Sequence, residues 1–141
     1  MYILDTDLFS LSDRLNDHAS QRLRFRLSRL RTDELATTII TFEEQTRGWL
    51  SWLAQARTFD EQVARYHQLN RMVRSYRDVL LLDFDQAAVD ELKRLQQKRI
   101  RIGTMDLKIA AIALAHNATL LSRNLKDFSK VPGLQVEDWS V

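Results

Sequence analysis

The stretch Tyr2–Thr6, with the sequence YILDT, decides the fold class, because a short apolar run ends there in an acidic side chain. Tyr, Ile and Leu in succession favour a buried β-strand. Leu8, Leu11 and Leu15 then recur at helical intervals, which predicts a helix directly after the strand. A strand that passes into a helix is the first half of a βαβ unit and predicts an α/β protein.

Four more β-leaning apolar runs follow, and stretches with helical periodicity separate the first four runs of the series. This alternation predicts a mainly parallel five-stranded sheet flanked by helices, with right-handed crossover connections. The segment Leu107–Ala115 is apolar nearly all round, so we expect a buried helix there. The later runs are Ala36–Ile40, Val79–Leu82, Thr119–Leu121 and Leu134–Val136.

The composition limits the classes of protein to which the chain can belong. With 141 residues, 45% of them hydrophobic, and with only three glycines and one proline, residues 1–141 are predicted to form a single domain without a linker. The absence of cysteine excludes disulfides, thiolate metal sites and a cysteine nucleophile. No apolar run approaches the roughly 20 residues of a membrane span, and no secretory signal is visible, so we expect a cytoplasmic protein without membrane association.

Acidic side chains stand where the predicted strands end. Asp5 directly follows the first run, Glu44 lies beyond the second run in the opening turn of the next helix, and Asp106 opens the buried helix. Asn124 follows the fourth run, and Asp127 comes shortly after it. Parallel strands present their carboxyl ends at one edge of the sheet, where the ligands of such sheets bind. These side chains are therefore predicted to converge.

The predicted carboxylate cluster has a definite chemistry, because neighbouring carboxylates raise the pKa of at least one member unless a cation is bound. Oxygen ligands without His or Cys suit hard cations, chiefly Mg²⁺ or Mn²⁺. None of the histidines, His18, His67 and His116, falls near these acids, which disfavours a zinc site. The pattern indicates metal-assisted attack on a phosphate ester.

Each acid also has a structural interpretation, and the sequence leaves both interpretations open. Glu44 completes the pattern of a capping box with Thr41, in which the carboxylate only accepts from a backbone N–H. Asp106 could complement the helix dipole behind a Thr104 cap, and Asp5 could close a turn.

Four motifs, in the right order and spanning nearly the whole chain, resemble those of the PIN-domain family. Tyr2–Asp7 (YILDTD) resembles the opening strand of that family. Ile39–Gly48 (IITFEEQTRG) is similar to the second motif, whose acid lies four residues before a glycine and is therefore Glu44. Gly103–Ala111 (GTMDLKIAA) resembles the third motif, and Leu120–Phe128 (LLSRNLKDF) with the tail that follows resembles the C-terminal part of VapC-type toxins.

The resemblance implies a PIN-like three-layer fold and the activity of a VapC-type toxin, an endoribonuclease that hydrolyses phosphodiester bonds of structured RNA by metal-activated water. Carried over, Asp5, Glu44 and Asp106 would bind Mg²⁺ or Mn²⁺ and position or deprotonate the attacking water. The fourth acidic position falls on Asn124, a weaker metal ligand, and Asp127 could supply the missing charge although its spacing differs. The family also implies a homodimer and a cognate antitoxin that neutralises the toxin.

Five further side chains are candidates for supporting roles. Thr6 and Ser122 are placed to orient metal-ligating carboxylates by hydrogen bonds, with capping as the alternative. Arg22, Arg26 and Arg29 form a basic face that is the candidate contact for RNA phosphate or for the antitoxin. The alternative for that face is a solvated helix surface.

Two rival functions stay open at the level of sequence. Asp5 and Asp7 have the spacing of the nucleophile and acid of haloacid-dehalogenase-like phosphatases, although Phe9 stands where that class has Thr or Val and Lys126 is a poor match for its lysine. A non-catalytic PIN-like binding module is the other rival, and Asn124 is the residue that favours it. The chain has no Gly-x-Gly-x-x-Gly motif, which excludes a Rossmann-type oxidoreductase.

Overall fold

A computed structural model describes all residues from Met1 to Val141, and strands alternate with helices along the chain. The strands are β1 (Tyr2–Leu4), β2 (Leu35–Thr38), β3 (Leu80–Leu82), β4 (Thr119–Leu121) and β5 (Gln135–Glu137). The helices are α1 (Thr6–Ser12), α2 (His18–Leu27), α3 (Ile39–Ala54), α4 (Phe59–Ser75), α5 (Gln86–Gln97), α6 (Thr104–Ala115) and α7 (Leu125–Phe128), and a 3₁₀ turn covers Thr32–Glu34.

The strands form one sheet in the order β3-β2-β1-β4-β5, and every neighbouring pair is parallel. The predicted sheet is thus confirmed, and it is parallel throughout rather than mainly parallel. The chain builds one half of the sheet from β1 to β3 and then crosses to the other side of β1 to add β4 and β5. Strand order therefore reverses between β1 and β4, which is the position at which open α/β sheets bind their ligands.

Helices cover both faces of the sheet, which confirms the three-layer arrangement. On one face α5 and α6 close over the larger apolar cluster, to which Ile109 and Ile112 of α6 contribute fully buried side chains. On the other face α1 and α2 close over a smaller cluster that includes Leu8, Leu11 and Leu23. The predicted burial of the helix over Leu107–Ala115 is confirmed, since its central residues have no exposed surface. None of the helices has both the length and the apolar character that a membrane span requires.

The second strand is shorter than predicted, because Ile39 and Ile40 begin α3 instead of continuing the strand. Thr38 caps this helix, and its hydroxyl accepts a hydrogen bond from the backbone N–H of Thr41 at 3.1 Å. Glu44 consequently lies in the second turn of α3, so its predicted place in the opening turn is wrong. The capping box of Thr41 with Glu44 is wrong as well, since Thr38 occupies the cap.

Three other helix boundaries differ from the prediction. Gly103, rather than Thr104, caps α6, so Asp106 lies in the first turn without a side-chain cap before it. Leu15 lies beyond the end of α1 and is exposed, because Asp17 caps a new helix two residues later. Asn124 caps the short helix α7, which lies between β4 and β5, where no helix was predicted.

Candidate active site

Asp5 is the most buried acid at the carboxyl edge of the sheet, with 5% of its surface exposed. It follows β1 directly and caps α1, because its Oδ1 accepts from the backbone N–H of Leu8 at 2.8 Å. Burial raises the pKa of Asp5 to about 6, against the hydrogen bond from Leu8 and an interaction with Ser122 that lower it. The charges of Asp7 and Asp106 raise it further. Asp5 is therefore a buried carboxyl whose pKa lies well above the ordinary value of an aspartate.

Glu44 reaches the same edge from α3 and is held by Thr6. The Thr6 hydroxyl donates to Glu44 Oε1 at 2.6 Å and lies 3.3 Å from the Thr41 hydroxyl. Because Thr6 is the first residue of α1, this contact joins the helix that follows β1 to the helix that follows β2. The hydrogen bond fixes one oxygen of Glu44 and leaves Oε2 without a side-chain donor.

Asp106 lies in the first turn of α6 and is half-buried. Burial raises the pKa of Asp106, and the charges of Glu44 and Asp127 raise it further, while a hydrogen bond from Asn124 lowers it. Asp106 also acts on the pKa of Asp5. It is therefore the acid that couples the other two, since it interacts with Asp5 on one side and with Glu44 on the other.

Asn124 connects Asp106 to Asp127. Its side-chain amide lies 3.5 Å from Asp106 Oδ2 and 3.1 Å from Asp127 Oδ2, and its Oδ1 accepts from the backbone N–H of Asp127 at 3.4 Å. Lys130 Nζ lies 3.2 Å from Asp127 Oδ1. The hydrogen bond from Asn124 and the neighbouring lysines Lys130 and Lys126 lower the pKa of Asp127. The side chain of Asn124 therefore donates hydrogen bonds to the two acids. Asp127 is an ionised carboxylate at the rim that is paired with Lys130.

Ser122 is fully buried beneath this group of side chains. Its hydroxyl accepts from the backbone N–H of Asn124 at 2.9 Å, and its interaction with Asp5 lowers the pKa of that carboxyl. Ser122 thus links the loop after β4 to the acid after β1.

The donor set decides which ion these residues suit. No group of three acidic or histidine side chains lies close enough together to hold a metal ion on its own. Mg²⁺ is commonly held by only one or two carboxylates, with water completing its octahedral shell. Asp5 and Asp106 both have raised pKa values and offer only oxygen, and the charge of Asp106 contributes to the raised pKa of Asp5, so the two fit that requirement.

The predicted basic face lies apart from the acids, and only Arg22 and Arg26 belong to α2, which ends before Arg29. Arg22 donates to the backbone carbonyl of Ser140 at 2.8 Å, and the guanidinium of Arg26 lies 6.0 Å from the centre of the Trp139 ring. The guanidinium of Arg29 lies 4.5 Å over Phe25. None of the charges that act on the carboxyls of the site comes from these arginines. Two of them hold the C-terminal segment in place.

An arginine that the sequence analysis did not select stands at the rim. Arg123 makes a bidentate ion pair with Asp7, in which its Nε lies 2.5 Å from Oδ2 and its Nη2 lies 2.6 Å from Oδ1. The signal in the sequence was the place of Arg123 between the site residues Ser122 and Asn124. Nothing local indicated that its partner would be Asp7, 116 positions away.

Comparison with known proteins assigns the family. The sequence profile described as PIN domain matches residues 2–134. The chain belongs to the PIN domain family. This confirms the resemblance drawn from the motifs, and it removes the haloacid-dehalogenase-like alternative, whose second acid would be the ion-paired Asp7.

This PIN domain is similar in sequence to proteins named Ribonuclease VapC. It is 49% identical to Ribonuclease VapC2 of Rickettsia felis over 45 residues, which span 32% of this chain and about a third (34%) of that relative. It is 26% identical to Ribonuclease VapC1 of Haemophilus influenzae over 99% of this chain and 98% of that protein.

The same likeness extends to solved structures. VapBC-1 from nontypeable Haemophilus influenzae matches with a TM-score of 0.75 and 23% identity over 99% of this PIN domain and 98% of that chain. VapBC2 from Rickettsia felis, bound to a DNA fragment from its promoter, matches with a TM-score of 0.71 and 23% identity over 98% of each chain. At this level of identity the likeness establishes the fold.

Proposed function

We propose that this PIN domain is a metal-dependent endoribonuclease toxin of the VapC type, which hydrolyses phosphodiester bonds of structured RNA. The observation that carries the proposal is the buried carboxyl of Asp5, whose pKa is raised to about 6 at the point where strand order reverses and whose charge is coupled to that of Asp106. A raised pKa in a ligand-binding cleft is typical of a functional carboxyl. The VapC names of the relatives support the substrate class.

Asp5 and Asp106, with Glu44 beside them, are the residues that would hold Mg²⁺ or Mn²⁺. When bound, such an ion supplies positive charge to the phosphoryl group and lowers the pKa of a water molecule. The pKa values of Asp5 and Asp106 are both raised, so ionising these buried carboxyls has a cost that a bound cation would offset.

Glu44 is the residue best placed to move a proton. Thr6 donates to its Oε1, so that oxygen is oriented and Oε2 remains to accept a proton from a water aligned with the phosphorus. Asn124 and Ser122 keep the acids in position, since Asn124 lies against Asp106 and Ser122 lies against Asp5. In this assignment Asn124 is a donor to the acids, and Asp127, paired with Lys130, lies outside the reacting group.

The partners proposed are RNA, a cognate antitoxin and a second copy of the chain in a homodimer. The VapBC structures that resemble this PIN domain are toxin–antitoxin complexes, which supports the antitoxin. The hairpin of α3 and α4 exposes large apolar side chains, among them Leu50, Phe59, Val63 and Tyr66, which supports an interface on that hairpin. Arg22 and Arg26 face the C-terminal segment, so Arg29, just beyond the end of α2, remains the candidate contact for antitoxin or RNA.

The deciding experiment incubates purified protein with total RNA in the presence of Mg²⁺, Mn²⁺ or EDTA and maps the cleaved ends. We expect cleavage with either metal, none in EDTA and none from Asp106→Asn. The matched control is Asp33→Asn, which alters an exposed acid beside the amino end of β2. Cleavage by Asp106→Asn at the wild-type rate, or cleavage that survives EDTA, would contradict the proposal.

A non-catalytic binding module is the second candidate, because Asn124 occupies the fourth acidic position and no three acids form a closed metal site. The same experiment separates the two functions. A module of this kind would bind RNA or protein without cleaving RNA under any metal condition.

A further inference from the structure

The ion pair between Arg123 and Asp7 joins the loop after β4 to the first turn of α1 at the rim of the site. Both side chains remain accessible, with 40% of Arg123 and 49% of Asp7 exposed. Exposed ion pairs contribute little to folding stability. The planar bidentate geometry is, however, the one in which a guanidinium binds a phosphate group. The pair therefore places beside the acids a guanidinium that is already oriented to donate two hydrogen bonds to a phosphate group.

The backbone on either side of Arg123 is held inside the site. Ser122 is fully buried, and its hydroxyl accepts from the backbone N–H of Asn124 at 2.9 Å. Asn124 in turn lies against Asp106. Both neighbours of Arg123 thus interact with the acids, while the side chain of Arg123 itself is partly exposed and contacts Asp7.

The ion pair holds the guanidinium at the exposed rim, whereas the carboxyl of Asp5 is buried. Asp7 lies near both groups, because it contacts Arg123 directly and its charge contributes to the raised pKa of Asp5. A phosphate bound by the exposed guanidinium would therefore lie at the rim, beside the phosphate that the buried acid would face.

We propose that Arg123 binds a backbone phosphate of the RNA next to the scissile phosphate, and that Asp7 is a positioning residue that holds the guanidinium at the rim until the phosphate replaces it. The proposal rests on the ribonuclease function above. The acids of the site and of its rim repel the negatively charged RNA backbone. An arginine at the rim offsets part of that repulsion.

A second ion pair of the same type lies away from the site and provides the control. Arg31 contacts Asp33 through Nε at 3.0 Å and Nη2 at 3.5 Å, and both side chains are 72% exposed. This pair precedes β2 and so lies at the amino edge of the sheet. It has the same chemistry as the Arg123 pair without the neighbouring acids of the site.

The test measures binding of a fluorescein-labelled single-stranded RNA by fluorescence anisotropy across a series of KCl concentrations. All proteins carry Asp106→Asn, which prevents cleavage, and circular dichroism checks their folding. Loss of one phosphate contact lowers the slope of log K against log salt by about 0.7 for a single strand. We expect that change from Arg123→Ala, with a several-fold loss of affinity at low salt. Arg123→Lys should keep the slope and lose part of the affinity, because the charge remains without the fork.

Asp7→Asn removes the competing charge and should tighten RNA binding several-fold. It also provides the background in which Arg123→Ala is compared without leaving Asp7 unpaired. Arg31→Ala should change neither slope nor affinity. In cleavage assays with Asp106 intact, Arg123→Ala should raise KM for RNA more than it lowers kcat.

The outcomes separate this inference from the proposed function. If the wild-type protein cleaves RNA and Arg123→Ala, in the Asp7→Asn background, changes neither affinity nor salt slope, the phosphate contact is wrong while the ribonuclease stands. If Arg31→Ala lowers the slope as much as Arg123→Ala, the effect is one of net charge and the contact is equally wrong. If the wild-type protein neither binds nor cleaves RNA, both proposals fail together.

Discussion

Asp5 at the carboxyl edge of the sheet and Asp33 at the amino edge have opposite electrostatic surroundings. At the carboxyl edge Asp5 is buried, its pKa is raised to about 6, and the charge of Asp106 adds to the cost of ionising it. At the amino edge Asp33 is exposed, and its hydrogen bond with Arg31 lowers its pKa. Asp33 is paired with a cation, whereas Asp5 is buried without one and lies near other acids. The difference supports the proposal that a divalent cation binds at the carboxyl edge.

The largest expected difference between substitutions at the two edges is in activity. Asp106→Asn should lower kcat/KM for RNA cleavage on the order of 10³-fold, because it removes a charge from the group that would hold the metal ion. Asp33→Asn should leave cleavage within two-fold of wild type, about the error of the assay. The measurement is initial cleavage rates with Mg²⁺ on a defined RNA. Equal losses from the two variants would show that the edges do not differ in function.

The next effect is on stability and has a sign that depends on pH. The pKa of Asp5 is raised from its ordinary value of 3.8 to about 6 in the folded protein. Between these two pH values the folded protein therefore binds a proton that the unfolded chain has released. Stability therefore falls as pH rises through that interval, and above it the metal-free protein carries a cost of about 3 kcal/mol.

Asp5→Asn should accordingly stabilise the metal-free protein by up to about 3 kcal/mol near pH 8 and by almost nothing below pH 4. Asn preserves the cap of α1, since its Oδ1 can still accept from Leu8. Urea unfolding in EDTA at both pH values measures the difference. Asp33 should behave in the reverse sense, because its lowered pKa means that its stabilising effect is lost as pH falls. A gain from Asp5→Asn that is the same at both pH values would contradict the burial argument.

Addition of a divalent cation tests the same comparison through thermal stability. Mg²⁺ or Mn²⁺ at about ten times its Kd should stabilise the wild-type protein by about 1.4 kcal/mol, a rise in Tm of about 3–5 °C for a domain of this size. The rise should vanish in Asp5→Asn and Asp106→Asn and persist in Asp33→Asn. Differential scanning fluorimetry with and without EDTA checks it. An undiminished rise in Asp106→Asn would place the ion elsewhere.

The smallest effect concerns the contact that orients Glu44. Thr6→Val removes the 2.6 Å hydrogen bond to Oε1 while keeping the side-chain volume. A net hydrogen bond of about 1 kcal/mol corresponds to a loss of about five-fold in kcat. Thr6→Ser retains the hydroxyl and should restore most of the rate. Equal activity of the Val and Ser variants would mean that Glu44 needs no such support.

Much of the fold was predictable because its signals are local. The apolar runs at Tyr2–Leu4 and Thr119–Leu121 became strands with the predicted bounds, and the apolar segment Leu107–Ala115 became a buried helix. The end of the second strand was predicted wrongly, because a helix cap there competes with the strand propensity of β-branched residues. Ile39 and Ile40 favour a strand by propensity, yet the Thr38 hydroxyl satisfies the N–H of Thr41 and starts α3 instead.

The place of the candidate site was predictable from the sequence, whereas its contacts were not, and the role of its residues in metal binding remains a prediction. Asp5 and Asn124 follow strands and Glu44 lies in the helix after β2, so a parallel sheet brings them to one edge whatever their separation along the chain. Asp106 follows no strand, and the packing of α6 brings it against Asn124. No local pattern announces that Thr6 donates to Glu44 or that Arg123 pairs with Asp7, because those contacts cross 38 and 116 positions of sequence.

The amino-acid sequence by itself determined the alternation of strands and helices and the positions of the acids at strand ends, since hydrophobic period and chain order are properties of neighbouring residues. Only the tertiary structure decided that Asp5 is buried, that Asp127 is paired with Lys130 and that Arg123 lies at the rim of the site. Burial and charge coupling depend on distances between elements, and packing alone sets those distances.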